Sequence, residues 1–147
     1  MTTIVFDGKE LVSDSRMTCD GHIESDVQKV FELKDGSLYA GAGTYEEILE
    51  VLEWIEDGSP RGRPKLEDFE GIHVKQDGSV FTCQSKLRWW RTAKPIAIGS
   101  GAKYARAGME CGLSGRKSVE LAAKFDTGTG GALQILKLNT SKVRAVS

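Results

Sequence analysis

Histidine, cysteine and proline are all scarce in this chain. Its 147 residues include two histidines, three cysteines and three prolines. The histidines, His22 and His73, stand far apart, so a Ser-His-Asp arrangement around Ser100 finds little support, and no G-x-S-x-G elbow is present. Cys19, Cys83 and Cys111 are an odd, widely spaced set, which argues against a disulfide framework. Cys19 and His22 have the C-x-x-H spacing of half a zinc site, but no second ligand pair follows, so neither a metal nor another cofactor is expected. Long apolar runs are missing, which excludes a bilayer-spanning helix. The start, MTTIVFDGKE, lacks the basic and apolar regions of a signal peptide. Charge of one sign is missing too: Lys+Arg 20 offsets Asp+Glu 21, which removes any global electrostatic reason for nucleic-acid binding. GLSGRKS (Gly112 to Ser118) lacks the spacing of a phosphate-binding loop. These absences leave a cytoplasmic protein of one domain, 1–147, with no membrane or nucleic-acid partner expected.

What is abundant is glycine, at 17 residues. Three Asp-Gly pairs each lie between strand-like runs, a strong hairpin signal. Asp7-Gly8 joins TTIVF (Thr2 to Phe6) to KELVS (Lys9 to Ser13). Asp35-Gly36 joins VQKVFEL (Val27 to Leu33) to SLYAGAG (Ser37 to Gly43). Asp77-Gly78 joins GIHVKQ (Gly71 to Gln76) to SVFTC (Ser79 to Cys83). PIAIG after Lys94 and ALQILKL (Ala132 to Leu138) read as further strands. Thr44 with Glu47 is a capping-box signature opening a helix to about Asp57, with Ile48, Leu52 and Ile55 on its apolar face. DGSPRGRPK (Asp57 to Lys65) reads as a surface loop. A second helix is expected from Gly101 to about Cys111. A third starts at Ser114 or Ser118, with Val119, Leu121, Ala122 and Phe125 toward the core. The order of elements indicates an α+β fold with helices outside antiparallel sheets.

If each Asp-Gly forms a two-residue turn, the strand registers follow. Phe6 then opposes Lys9 and Thr2 opposes Ser13, with Asp14 next. Lys34 opposes Ser37 and Lys29 opposes Ala42, one step from Gly43. Two local pairs result, Thr2 with Asp14 and Lys29 with Gly43; the registers alone do not bring them together. Together they would be chemically specific. A threonine hydroxyl is a weak nucleophile needing a base. A chain-terminal threonine carries one in its own α-amine, with a pKa of about 7.7–8.0. A neighbouring lysine cation favours the alkoxide and the neutral amine. Asp14 would hold that lysine. The Gly43 N–H, before a helix start, suits an oxyanion, and such a donor contributes roughly 3–4 kcal/mol.

The segments TTIV, SDSR, QKVFEL and AGAGT resemble, in order, the pattern of proteasome β-subunits and bacterial HslV-type peptidases. AIGSG (Ala97 to Gly101) resembles that family's serine-bearing turn. FDTGTGG (Phe125 to Gly131) resembles its Asp-x-x-Ser-Gly-Gly segment, with Thr129 in place of serine. The resemblance implies Thr2 as nucleophile once Met1 is removed, Asp14 and Lys29 as its charge partners, and Gly43 as oxyanion donor. Ser100, Asp126 and Thr129 become the network around the amine, and Gly41 falls beside a roomy specificity pocket. It also implies a four-layer α/β/β/α sandwich and a ring-like homo-oligomer, possibly stacked. The substrate would be a peptide or unfolded protein, and any ATP-dependent unfoldase would be a separate chain. The chain is shorter than usual for the family around 15–27 and between its first two helices. An inactive structural or assembly subunit is the alternative, and hydrolysis of a small-molecule amide would use the same nucleophile. KLRWWRT (Lys86 to Thr92) combines arginine with paired tryptophans, the composition of a protein interface.

Overall fold

The computed structural model describes residues 2–138. The described chain opens with β1 (Ile4–Phe6) and β2 (Glu10–Ser13), followed by an exposed hairpin of β3 (Arg16–Cys19) and β4 (His22–Asp26). Next come β5 (Val30–Glu32), β6 (Leu38–Gly43) and α1 (Tyr45–Glu56). The strands β7 (Phe69–Val74), β8 (Val80–Gln84), β9 (Trp90–Thr92) and β10 (Ile96–Ile98) lead to α2 (Ala102–Glu110), α3 (Gly115–Phe125) and β11 (Gln134–Lys137). The fold is a mixed α+β one. One sheet has the order β10-β1-β2-β11 and another β5-β6-β7-β8-β9, with antiparallel pairing in both.

Both large sheets are covered on both faces, which explains why their strands read as nearly unbroken apolar runs. Ile4, Phe6 and Leu11 of the first sheet pack on Val30, Ala40 and Ile72 of the second. The alternate residues face outward into separate clusters. Val5 and Val12 pack against Ala105, Val119 and Ala122 of α2 and α3. Tyr39 and Phe69 pack against Ile48 and Val51 of α1. A fully buried Val, Leu, Ile or Phe contributes about 1.5–3 kcal/mol, so these seams carry much of the folding free energy.

The turns differ from their expected form for local chemical reasons. In the first hairpin Phe6 pairs with Leu11 and Ile4 with Ser13. The two central turn residues are Gly8 and Lys9, one place later than expected, because the Asp7 carboxylate accepts the N–H groups of Lys9 and Glu10, both at 2.9 Å. Thr2 therefore does not oppose Ser13; Asp14 N donates to Thr3 O instead. In the second hairpin Val30 pairs with Ala40 and Leu33 N donates to Ser37 O, so the loop has three residues and Lys29 falls level with Gly41, not Ala42. Asp35 Oδ1 binds both Ser37 N and Ser37 Oγ, at 2.9 and 2.5 Å. Asp77 repeats the device with Ser79. The serine after Asp-Gly thus captures the aspartate and lengthens the loop. A two-residue turn does occur at Asp20-Gly21, where φ is positive at both residues and Cys19 pairs with His22. It builds the β3–β4 hairpin, two strands that the sequence pattern does not signal.

The helices carry two further corrections. Thr44 stands at the N-cap of α1 without a side-chain capping bond. Glu47 turns away to accept Glu67 N and Asp68 N, tying the start of β7 to the helix. Phe125 does not enter the core; it is 63% exposed and stacks on Tyr104. Val119 and Ala122 are buried as expected, while Leu121 is half-buried. The 57–65 segment is almost wholly exposed.

Asp7 holds two parts of this frame, since its Oδ2 also accepts Gly115 N at the start of α3, at 3.2 Å. Asp7→Ala should lower stability by about 1–2 kcal/mol, read as a lower urea midpoint. An unchanged midpoint would contradict the role given to this carboxylate.

Candidate active site

Thr2 lies just before β1, Asp14 just after β2 and Lys29 just before β5, so strand ends from both large sheets converge. All three residues are buried, at 2%, 1% and 3% exposure. The Thr2 hydroxyl donates to Asp14 Oδ1 and accepts from Lys29 Nζ at 2.5 Å. Lys29 Nζ also reaches Asp14 Oδ1 at 3.0 Å and the Arg16 carbonyl at 2.6 Å. The remaining capacity of Asp14 is filled by Thr3 N on Oδ1 and Gly130 N on Oδ2. Burial pulls the Lys29 ammonium below the ordinary lysine range, and the Asp14 carboxylate opposes that pull.

A second network surrounds the Thr2 nitrogen, which is an amide while Met1 is attached. Thr2 N donates to Ser100 Oγ at 3.1 Å. The Ser100 and Thr129 hydroxyls each donate to Asp126 Oδ2 at 2.6 Å. Thr3 Oγ1 lies 2.7 Å from Thr129 Oγ1, so with Thr129 donating to Asp126, the Thr3 hydroxyl donates to Thr129. Burial pushes the Asp126 carboxyl up, but the hydrogen bonds from Ser100, Thr129 and Gly128 outweigh it and hold the group below its usual range. Asp126 is thus a fixed anion that orients both hydroxyls. Thr129 supplies one of the hydroxyls on which this depends.

Gly43 lines two cavities that both reach Thr2. One, of about 280 Å³, includes Lys29, Gly41, Tyr45 and Ile48 in its lining. The other, of about 210 Å³, includes Ser100, Gly99, Asp68 and Glu70. At Gly43 φ is +113°, and a Cβ there would run into the Asp68 carbonyl, so β6 can approach β7 at this point only as glycine. Gly41 leaves less open space than the sequence suggests: Ile48 and Tyr39 Oη would each lie 3.0 Å from an added Cβ.

Sequence reasoning missed Thr3, Arg16, Gly130 and Gln134 as parts of the site. Arg16 lies across the 127–130 segment, with Nη1 donating to Thr127 O and Thr129 O. A Cβ on Gly130 would strike its guanidinium. Gln134 accepts Lys29 N and donates to Val27 O, both at 2.7 Å, and so fixes the lysine backbone from β11. Arg16 and Gly130 stand in the quoted SDSR and TGTGG segments, which is a local signal. Gln134 acts across 105 residues and has none. Among the described residues no cluster of three or more His, Cys, Asp or Glu side chains is placed to hold a metal.

No protein-family model matches the chain, and no curated protein sequence matches it. Solved structures do. BPH of Thiobacillus denitrificans matches with a TM-score of 0.71 at 19% identity, covering 94% of this chain and 98% of that one. The same values hold for BPH in complex with epoxomicin. HslV from Trypanosoma brucei matches with a TM-score of 0.75 at 17% identity, over 94% and 98% of the two chains. The chain has the HslV-type fold. The HslV-type likeness spans nearly the whole chain.

The buried charges make a sharp stability test. Lys29→Met strands the Asp14 carboxylate, and Asp14→Asn strands the ammonium; breaking a buried pair this way costs about 3–5 kcal/mol. The double variant should lose clearly less than the two single losses combined, measured by urea unfolding. Strict additivity would show that the pair is not coupled.

Proposed function

We propose that this chain is a threonine peptidase of the HslV type, with Thr2 as its nucleophile after removal of Met1. The observation carrying this reading is the buried Thr2 hydroxyl, bonded to both Lys29 Nζ and Asp14 Oδ1 beside two cavities. Four-layer α/β/β/α packing fits the three clusters, one between the sheets and one beneath each helical layer.

With Met1 gone, the Thr2 α-amine takes the Thr2 hydroxyl proton directly or through one water. The alkoxide oxygen attacks the scissile carbonyl carbon. Lys29 lowers the energy of that alkoxide, and its positive charge keeps the amine neutral. The Gly43 N–H supports the oxyanion. Collapse breaks the peptide C–N bond, and the proton held by the α-amine passes to the leaving nitrogen. An ester on Thr2 Oγ1 remains. Water, deprotonated by the same amine, hydrolyses this ester and restores the hydroxyl. Ser100, held by Asp126, fixes the amine within reach of both steps.

The substrate in this reading is a peptide or unfolded protein, cleaved in a ring-like homo-oligomer in the cytoplasm, with any ATP-dependent unfoldase a separate chain. The alternative is a structural subunit of the same fold. It follows if Met1 stays in place, because an amide nitrogen is no base.

Intact mass decides between them. A peptide epoxyketone such as epoxomicin needs both a free α-amine and its own hydroxyl to close its ring adduct. The Met1-free chain should gain one inhibitor mass, and Thr2→Ala should gain none. A chain that keeps Met1, or one that is processed and never labelled, would be the structural subunit.

A further inference from the structure

The two cavities at Thr2 are chemically unlike, and the direction of proton transfer assigns them to opposite halves of a substrate. The α-amine must give its proton to the leaving nitrogen, so the leaving half lies on the side of Thr2 N. That nitrogen is bonded to Ser100 Oγ, and Ser100 lines the smaller cavity, not the larger one. The acyl half is left with the larger cavity, where Tyr45 and Ile48 offer apolar walls. Asp68 lines both cavities, but Glu70 lines only the smaller one, where no cationic side chain is found among the described residues, whereas Arg16 and Lys29 line the larger. Glu70 is partly buried on β7, and its Oε1 accepts Gly99 N at 3.4 Å, which directs it toward the Ser100 turn. Asp68 is exposed at the rim, where its backbone carbonyl accepts Thr44 N. Lys29 does not offset these charges, since Asp14 already shares its ammonium.

We infer that Asp68 and Glu70 select substrates with a cationic residue, lysine or arginine, immediately after the scissile bond. This rests on the peptidase reading and adds to it a preference on the leaving side. The incoming cation meets two carboxylates, and the pairing is kept until the C–N bond breaks. A glutamate at the same substrate position is repelled. The selection belongs to the acylation step alone, because the leaving half has departed before the Thr2 ester is hydrolysed.

The test uses peptides with one common acyl half and Lys, Ala or Glu after the scissile bond, with kcat/KM read from product masses. The Met1-free chain should favour Lys over Glu by roughly three- to tenfold, the range for partly solvated ion pairs. Glu70→Gln, which keeps an oxygen for Gly99 N, should shrink the Lys-to-Glu ratio, and Glu70→Lys should invert it. Each ratio is taken within one variant, so a general loss of activity cancels. Equal rates for all three peptides in a chain that epoxomicin labels overturn the preference and leave the peptidase reading standing. A chain that neither labels nor cleaves overturns both.

Discussion

The Lys29 ammonium, shared between Thr2 Oγ1 and Asp14 Oδ1, is the contact on which the rest of the arrangement depends. A buried cation is stable only with its donors satisfied and an anion close by. Meeting those needs recruits the Arg16 carbonyl for the third donor, and the N–H groups of Thr3 and Gly130 for the carboxylate. Segments that are distant in sequence are thereby held together. The seam between the sheets supplies the driving force for folding, and the ion pair fixes where their strand ends meet.

The same constraint explains residues with no chemistry of their own. Gly130 is small because the Arg16 guanidinium lies against it. Gln134 holds the backbone at both Lys29 and Val27, so the edge strand β11 determines where the ammonium can reach. Asp126 holds two hydroxyls on a single oxygen, which leaves Ser100 Oγ free to accept from the Thr2 nitrogen. The Thr2 hydroxyl and the Thr2 nitrogen are held by two separate networks, which touch through Thr2, Thr3, Arg16 and the 129–130 segment.

Much of this was legible in the sequence, and the misses have physical causes. The three helices and most strands followed from periodicity and Asp-Gly punctuation. The two-residue-turn register pairs Thr2 with Asp14 but differs in detail from the observed one. Moving the first turn by one residue shifts the pairing by two, so side chains keep their face and Asp14 still reaches Thr2. The second hairpin slips by one, which changes the partner of Lys29 from Ala42 to Gly41. A serine after Asp-Gly, absent at Asp7-Gly8-Lys9 and present at Asp35-Gly36-Ser37, was the readable signal. The β3–β4 hairpin escaped because all of β4 is exposed and shows no alternation. Its turn nevertheless sat in plain view at Asp20-Gly21. That the two local pairs meet depends on sheet packing, which no local pattern encodes.

In the proposed peptidase, the α-amine of Thr2 acts as base beside a lysine cation. The most direct measurement is the pH dependence of inactivation of the Met1-free chain by epoxomicin, followed by mass. The rate should rise with pH along a single limb at or somewhat below about 7.7–8.0, the range of an unperturbed α-amine. A rate that is flat from pH 6 to 9, or equal labelling of a chain that still carries Met1, would contradict it.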